Sequence, residues 1–232
     1  RIRAAFVATL SHELRSPINV ILGYHDLLME GVFGPVSPTQ HDVIERIGQA
    51  ARQLLELVTS TLEVSRLQAG RTALNLQLIH PAALLEQIRS ETLEIQDKEG
   101  VTVEWHIPEG LPPVYTDPAK VKVIIKNLLS NALKYTERGF VRVSAAEAER
   151  GLEIRVSDTG YGIPADALPH IFEPFRQFHA HVGGGGAGLG LYLVRLFADL
   201  IGAQMSVQSE VGKGSTFKLW IPLQPPGTLV QP

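Results

Sequence analysis

A helical hairpin followed by an α/β layer is the architecture that the sequence predicts, and three observations carry it. Apolar residues recur three and four positions apart in two stretches before residue 69. Between those stretches lies "GVFGPVSP", whose two glycines and two prolines break a helix. From "QAGRTALN" onward the periodicity changes, and short alternating runs follow one another with helical segments between them.

The first stretch places Val7, Leu10, Leu14, Pro17, Ile21, Tyr24 and Leu28 on one seam. The second does the same with Val43, Ile47, Ala50, Leu54, Leu57, Thr61 and Val64. An antiparallel hairpin cannot cover such a stripe alone, so two copies are expected to pair into a four-helix bundle, making the chain a homodimer. With Val7 as position a, His12 of "LSHELRSPIN" falls at the outward f position. Ser16 and Asn19 follow on the same face, and Glu13 flanks it. Pro17 costs roughly 3 kcal/mol inside a helix. It also frees a backbone carbonyl one turn earlier, near Glu13, and loosens the helix there.

In the second half, Leu74, Leu76 and Leu78 alternate with polar residues as in a strand. "PAALLEQIRSETLEIQDKEG" reads as one helix closed by Gly100, and "VTVEWHI" as a strand. "TDPAKVKVIIKNLLSNALKYT" is a helix with Asp117 at its N-cap and Pro118 at its first position. "GFVRVSAAEAERGLEIRVSD" reads as a hairpin with Leu152, Ile154 and Val156 facing inward. "GLGLYLVRLFADLIG" is a helix stopped by Gly202, "STFKLWIPL" a last strand, and "QPPGTLVQP" a tail without packing signal. The expected layer is one antiparallel or mixed sheet covered by helices.

Composition narrows the function. The 232 residues suit two modest domains, and 44% apolar content suffices for a core. A formal charge of −3 gives no electrostatic case for nucleic acid. Cysteine is absent, which excludes disulfide and thiolate chemistry and fits a reducing compartment. No apolar run approaches the ~18 residues of a membrane span. The first residue is Arg rather than Met, so the chain reads as part of a longer protein, with a sensor or transmembrane region expected upstream.

Each motif has an ordinary reading beside a functional one. A lone exposed histidine is usually a surface residue, but Glu13 beside His12 can take a proton while the other ring nitrogen attacks an electrophile. Asn127, Asn131 and Lys134 share one stripe of their helix. That stripe is either a solvated face or a place where an amide oxygen meets Mg²⁺ and Lys134 meets phosphate. "SDTGYGI" ends a strand; it is a simple turn, or Asp158 accepts from an amino group while Gly160 and Gly162 admit a flat ligand. "GGGGAGLGL" runs into a helix N-terminus suited to phosphate, or is a linker. "GKGSTF" is a tight turn before the last strand.

In order and spacing these segments resemble the boxes of bacterial sensor histidine kinases. "SHELRSP" is similar to the H box, "NLLSNALKYT" to the N box and "DTGYGI" to the first G box. "FEPF" is similar to the F box, and "GGAGLGL" and "GKGSTF" to the later G boxes. The resemblance covers nearly the whole chain. It implies a dimerisation and histidine-phosphotransfer domain at 1–69, a linker at 70–77, a catalytic ATP-binding α/β sandwich of the Bergerat type (GHKL superfamily) at 78–224, and a tail at 225–232. By the same resemblance His12 takes the γ-phosphoryl group of ATP, with Glu13 as base. Asn131 ligates Mg²⁺, Asn127 and Lys134 lie near the phosphates, and Tyr135 lies close to the nucleotide. Asp158 reads adenine, Gly160 and Gly162 shape that pocket, and Gly186, Gly188, Leu189 and Gly190 belong to the lid. Thr216 also joins the ATP site. The phosphoryl group is then expected to pass to an aspartate of a response-regulator receiver domain, and the chain to be the cytoplasmic portion of its protein.

The chain departs from the family at three points, one of them the short, glycine-rich lid "RQFHAHVGGGG". Ser16 stands where many members carry Thr or Asn, the side chain that positions water for dephosphorylating the receiver. Gln177 stands where many carry arginine, with Arg176 beside it. His179 and His181 read as solvated residues rather than a metal pair. Two rival functions, an ATP-driven conformational clamp and a non-catalytic binding module, fit less well. A clamp needs no displayed histidine, and a binding module has no need of Asn131, Asp158 and a glycine lid together.

Overall fold

The computed structural model describes residues 2–69, 72–176 and 188–224, with the backbone alone for residues 2–12 and 94. The chain divides into two compact units, one built on Arg1–Thr72 and the other on Ala73–Gly184 and Gly190–Pro232.

The first unit is a hairpin of α1 (Ile2–Met29) and α2 (Pro38–Gln68). Helix α1 runs through Pro17 without interruption. Helix α2 opens on a capping box: Ser37 accepts from the Gln40 amide, the Gln40 side chain accepts from the Ser37 amide, and Pro38 follows at the first helical position. The two helices close on faces set one residue beyond the stripes read from the sequence. In α1 that face carries Ile18, Leu22, His25 and Met29, and in α2 Ile44, Gly48, Ala51, Leu55, Val58 and Leu62. The predicted seam stays open. Leu14, Ile21, Tyr24, Val43, Ile47, Leu54 and Leu57 are all exposed within the chain.

One contact explains a glycine in mid-helix, a residue that costs ~1 kcal/mol relative to alanine. His25 is buried, its Nδ1 2.9 Å from Asp26 Oδ1. A Cβ on Gly48 would overlap the His25 ring. The imidazole therefore needs the hole that Gly48 leaves.

The second unit is two-layered. Strand β1 (Gln77–Ile79) pairs antiparallel with β3 (Val114–Thr116) in a small sheet. The main sheet contains β2 (Val101–His106), β4 (Gly139–Ala148), β5 (Gly151–Asp158), β6 (Gln204–Glu210) and β7 (Gly214–Pro222), ordered β2-β4-β5-β7-β6. Only β2–β4 is parallel, so the sheet is mixed. Helices α3 (Pro81–Glu91), α5 (Pro118–Tyr135) and α6 (Gly190–Leu200) supply the covering layer. The core lies between Ile124, Ile125, Leu128 and Leu129 of α5 and Val141, Val143, Ile154 and Val156 of the sheet. Such burial is worth about 1.5–3 kcal/mol per large side chain.

The helix predicted over 81–100 is in fact two, α3 and the one-turn α4 (Leu93–Gln96). Thr92 breaks it: its hydroxyl donates to the Ile88 carbonyl at 2.7 Å and its φ is −117°. Strands β3 and β6 were not read from the sequence.

Candidate functional site

Helix α5 is anchored at both ends. Asp117 is the predicted N-cap; its Oδ1 accepts from the Ala119 and Lys120 amides, and its Oδ2 from the Asn75 amide. At the other end Lys98 donates to the carbonyls of Leu133 (2.6 Å) and Thr136 (2.7 Å), a cation where helix carbonyls lack partners. The helix thus holds its polar stripe in a fixed register. The Asn127 Nδ2 donates to the Val123 carbonyl at 2.8 Å. A Cβ on Gly190 would come within 2.9 Å of Asn127 Oδ1, so the absent side chain lets the N-terminus of α6 lie against the α5 amide. One turn on, the Asn131 amide is part-exposed and makes no hydrogen bond to a described residue. Lys134 holds its ammonium 5.2 Å from the centre of the Tyr135 ring.

Asp158 ends β5. Its Oδ1 accepts from the Gly160 amide (2.9 Å) and the Ser215 amide (3.3 Å), while Oδ2 makes no hydrogen bond among the described residues. Burial pushes its carboxyl above the ordinary carboxylate range, and the two amides act against that shift. A cavity beside it is lined by Asp158, Ser209, Ser215 and Thr216 among others. The Thr216 hydroxyl donates to Ser157 Oγ at 3.0 Å.

The glycines of "DTGYGI" have a reason inside the protein. A Cβ on Gly160 would overlap the Tyr135 carbonyl, and one on Gly162 (φ +70°) the Glu210 carbonyl. The Tyr161 amide donates to Tyr135 O at 3.2 Å, and its carbonyl accepts from the Gly212 amide at 2.8 Å. The loop after Asp158 is therefore clasped between the end of α5 and the β6–β7 turn. Through it the Asn127–Asn131 stripe and the Asp158 cavity belong to one framework.

Gly188 has φ +68°, Leu189 is buried and Gly190 starts α6. Gly186, Gln177, His179 and His181 lie outside the described residues, as does the side chain of His12. Its helix is described, and Glu13, Ser16 and Asn19 beside it are exposed. Arg176 is engaged with Glu173 (2.9 Å), which also meets His170 Nδ1 at 2.7 Å.

Among the described residues no group of three or more His, Asp or Glu side chains is placed to hold a metal. The donor set fits Mg²⁺ in another way. The unengaged Asn131 amide oxygen is a hard ligand, and Mg²⁺ commonly takes one or two protein oxygens with substrate phosphates and water. Sequence reading missed Ser209 and Ser215. Ser215 stands inside "GKGSTF", but a serine in a weakly apolar edge strand such as Ser209 carries no local signal.

Comparison with known proteins bears on the whole chain. Residues 2–70 match the His Kinase A (phospho-acceptor) domain, and residues 116–225 the histidine kinase-, DNA gyrase B- and HSP90-like ATPase family. The circadian input-output histidine kinase CikA of Synechococcus elongatus is 35% identical, over 99% of this chain and 31% of its own. Histidine protein kinase DivJ of Caulobacter vibrioides is 38% identical, over 95% of this chain and 37% of its own. The chain thus spans about a third of these relatives' length. Full-length ShkA, solved in complex with AMPPNP, superposes with a TM-score of 0.75 at 31% identity, covering 94% of this chain and 45% of that one. The Acinetobacter baumannii histidine kinase AdeS shares the fold, at TM-score 0.61 and 22% identity, over 91% of this chain and 98% of its own. A phospho-acceptor domain followed by an ATPase domain is the pairing found here, and it makes the chain a histidine kinase core of the two-component type.

Proposed function

We propose that this chain is an ATP-dependent histidine autokinase that phosphorylates His12 and passes the phosphoryl group to an aspartate of a response-regulator receiver domain. One observation carries the reading: a phospho-acceptor helix bearing "SHELRSP" and an ATPase domain occur in order on one chain. The domains divide at 1–69 and 78–224, with a linker at 70–77 and a tail at 225–232.

In the ATPase domain, Asp158 accepts from the adenine amino group. Gly160, Gly162 and Thr216 border the base, and Tyr135 lies close to the nucleotide. Asn127 and Lys134 approach the phosphates with the "GAGLGL" segment, including Gly186, Gly188, Leu189 and Gly190. Asn131 holds Mg²⁺, which neutralises phosphate charge when bound. The ring Nε2 of His12 forms the new N–P bond as the bond from γ-phosphorus to the bridging oxygen breaks. ADP leaves with that electron pair, and Glu13 accepts the proton from Nδ1. Catalysis here is mostly alignment, so a histidine on the outward face of its helix suits a domain that must reach it.

The working form is a homodimer closed on the open seam of the hairpin. The core is the cytoplasmic portion of a longer protein whose sensor or membrane region precedes it; among the described residues no helix is long and apolar enough to cross a membrane. A direct test is label transfer from γ-labelled ATP with and without metal. Labelling lost in chelator and restored by Mg²⁺ is expected; full labelling in chelator contradicts the reading.

A further inference from the structure

Three polar residues stand in one row across the end of the main sheet. Asp158 of β5 is directly opposite Ser215 of β7, and Ser215 is directly opposite Ser209 of β6. Directly opposed residues project to the same face of a sheet. The row is bonded throughout: the Ser215 amide donates to Asp158 Oδ1, and the two serine hydroxyls are 2.9 Å apart.

Proton accounting fixes the direction of these bonds. Ser209 Oγ accepts from the Ile163 amide at 2.7 Å and lies 3.0 Å from the Gly214 carbonyl. A carbonyl only accepts, so the single Ser209 proton is committed to Gly214. The Ser215 hydroxyl must then donate to Ser209. One donor and two acceptor sites are thereby used, and Ser209 has no valence left for a ligand. Whatever it does, it does through the groups it holds.

Those groups are the supports of Asp158. Ile163 belongs to the same loop as Gly160, and Gly214 adjoins Ser215; the amides of Gly160 and Ser215 are the two that hold Asp158 Oδ1. Ser209 staples one supporting segment to the other. We propose that Ser209 is a positioning residue for base recognition. Its hydroxyl locks the Asp158 carboxylate so that the unengaged Oδ2 is presented to the exocyclic amino group of adenine. This rests on the reading of Asp158 given above, yet Ser209 stands outside all three glycine motifs.

The test is titration calorimetry of the full chain with ATP and with ITP, which lacks the amino group. The parent is expected to prefer ATP. Ser209→Ala is expected to weaken ATP roughly tenfold and to change ITP by less than about twofold, so that the preference shrinks. Autophosphorylation should show the loss in KM, with kcat at saturating ATP within about twofold. Ser209→Thr, which keeps the hydroxyl, should restore the preference. Should Ser209→Ala fail to fold, Ser209→Cys, similar in shape and a weak partner, carries the same expectation. Equal losses for ATP and ITP, an unchanged ATP affinity, or a threonine variant as impaired as alanine overturns the proposal. A parent that does not prefer ATP overturns the reading of Asp158 and this proposal with it, a result distinct from a preference that Ser209→Ala leaves intact.

Discussion

Asp158 is an acid held where burial disfavours its charge, and in the proposed function that charge serves recognition of the base. Because its folded pKa is raised, the folded protein loses stability as pH climbs through the interval from the ordinary carboxylate value to the raised one. Asparagine can still accept from the Gly160 and Ser215 amides without carrying the charge. Asp158→Asn is therefore expected to raise the melting midpoint of the nucleotide-free protein at pH 7 while weakening ATP roughly tenfold or more. A lowered midpoint together with unchanged affinity in calorimetry removes Asp158 from the site. In the parent, ATP affinity should fall on acidification sooner than an unperturbed carboxyl near ~3.9 would allow, since a protonated Oδ2 cannot accept.

Among the elements, the hairpin is specified by a ring and a hole. Gly48→Ala should gain helix propensity of ~1 kcal/mol, yet the new methyl meets the His25 ring, and overpacking costs about 1–3 kcal/mol. The net change in denaturant unfolding is expected to be destabilising. In a His25→Ala background the same substitution should become stabilising. An identical effect in both backgrounds would mean that ring and glycine are not coupled. This pair also shows why the closing face of the hairpin escaped the sequence. Its residues include His25, Gly48 and Ala51, so its periodic signal is weak, and the richer stripe of Leu14, Ile21, Val43, Ile47 and Leu54 dominates the pattern. That richer stripe is the one left open. Strand β6 was lost for a related reason: it alternates in burial, but Met205 and Val207 are its only apolar side chains, too few to mark a strand. Helix α5 was legible because Asp117, Pro118 and seven buried apolar residues agree on it.

At the scale of the whole molecule, the exposed seam has a direct consequence. Sedimentation of the 25.3 kDa chain at micromolar concentration should report a dimer, and Ile21→Glu with Leu54→Glu should leave a folded monomer. A parent that sediments as a monomer refutes the bundle. The proposed site is legible in the sequence where its chemistry needs a motif, as at Asp158 and Asn131. It was hidden where a residue acts only by holding another: the Lys98 ammonium at the end of α5 and the Ser209 hydroxyl emerge from distances, not from spacing. The reason for the glycines was also out of reach, because the carbonyls of Tyr135 and Glu210 that exclude a Cβ are remote in sequence.

Whether His12 receives the γ-phosphoryl group is read from the chemistry of the labelled linkage. The chain and its His12→Gln variant are incubated with Mg²⁺ and γ-labelled ATP, and the label is tested for stability in acid and base. Acid-labile, base-stable label on the parent and none on the variant, with ATP binding equal in both, is the predicted result. Equal labelling of the two, or none on a parent that still binds ATP, would contradict the assignment.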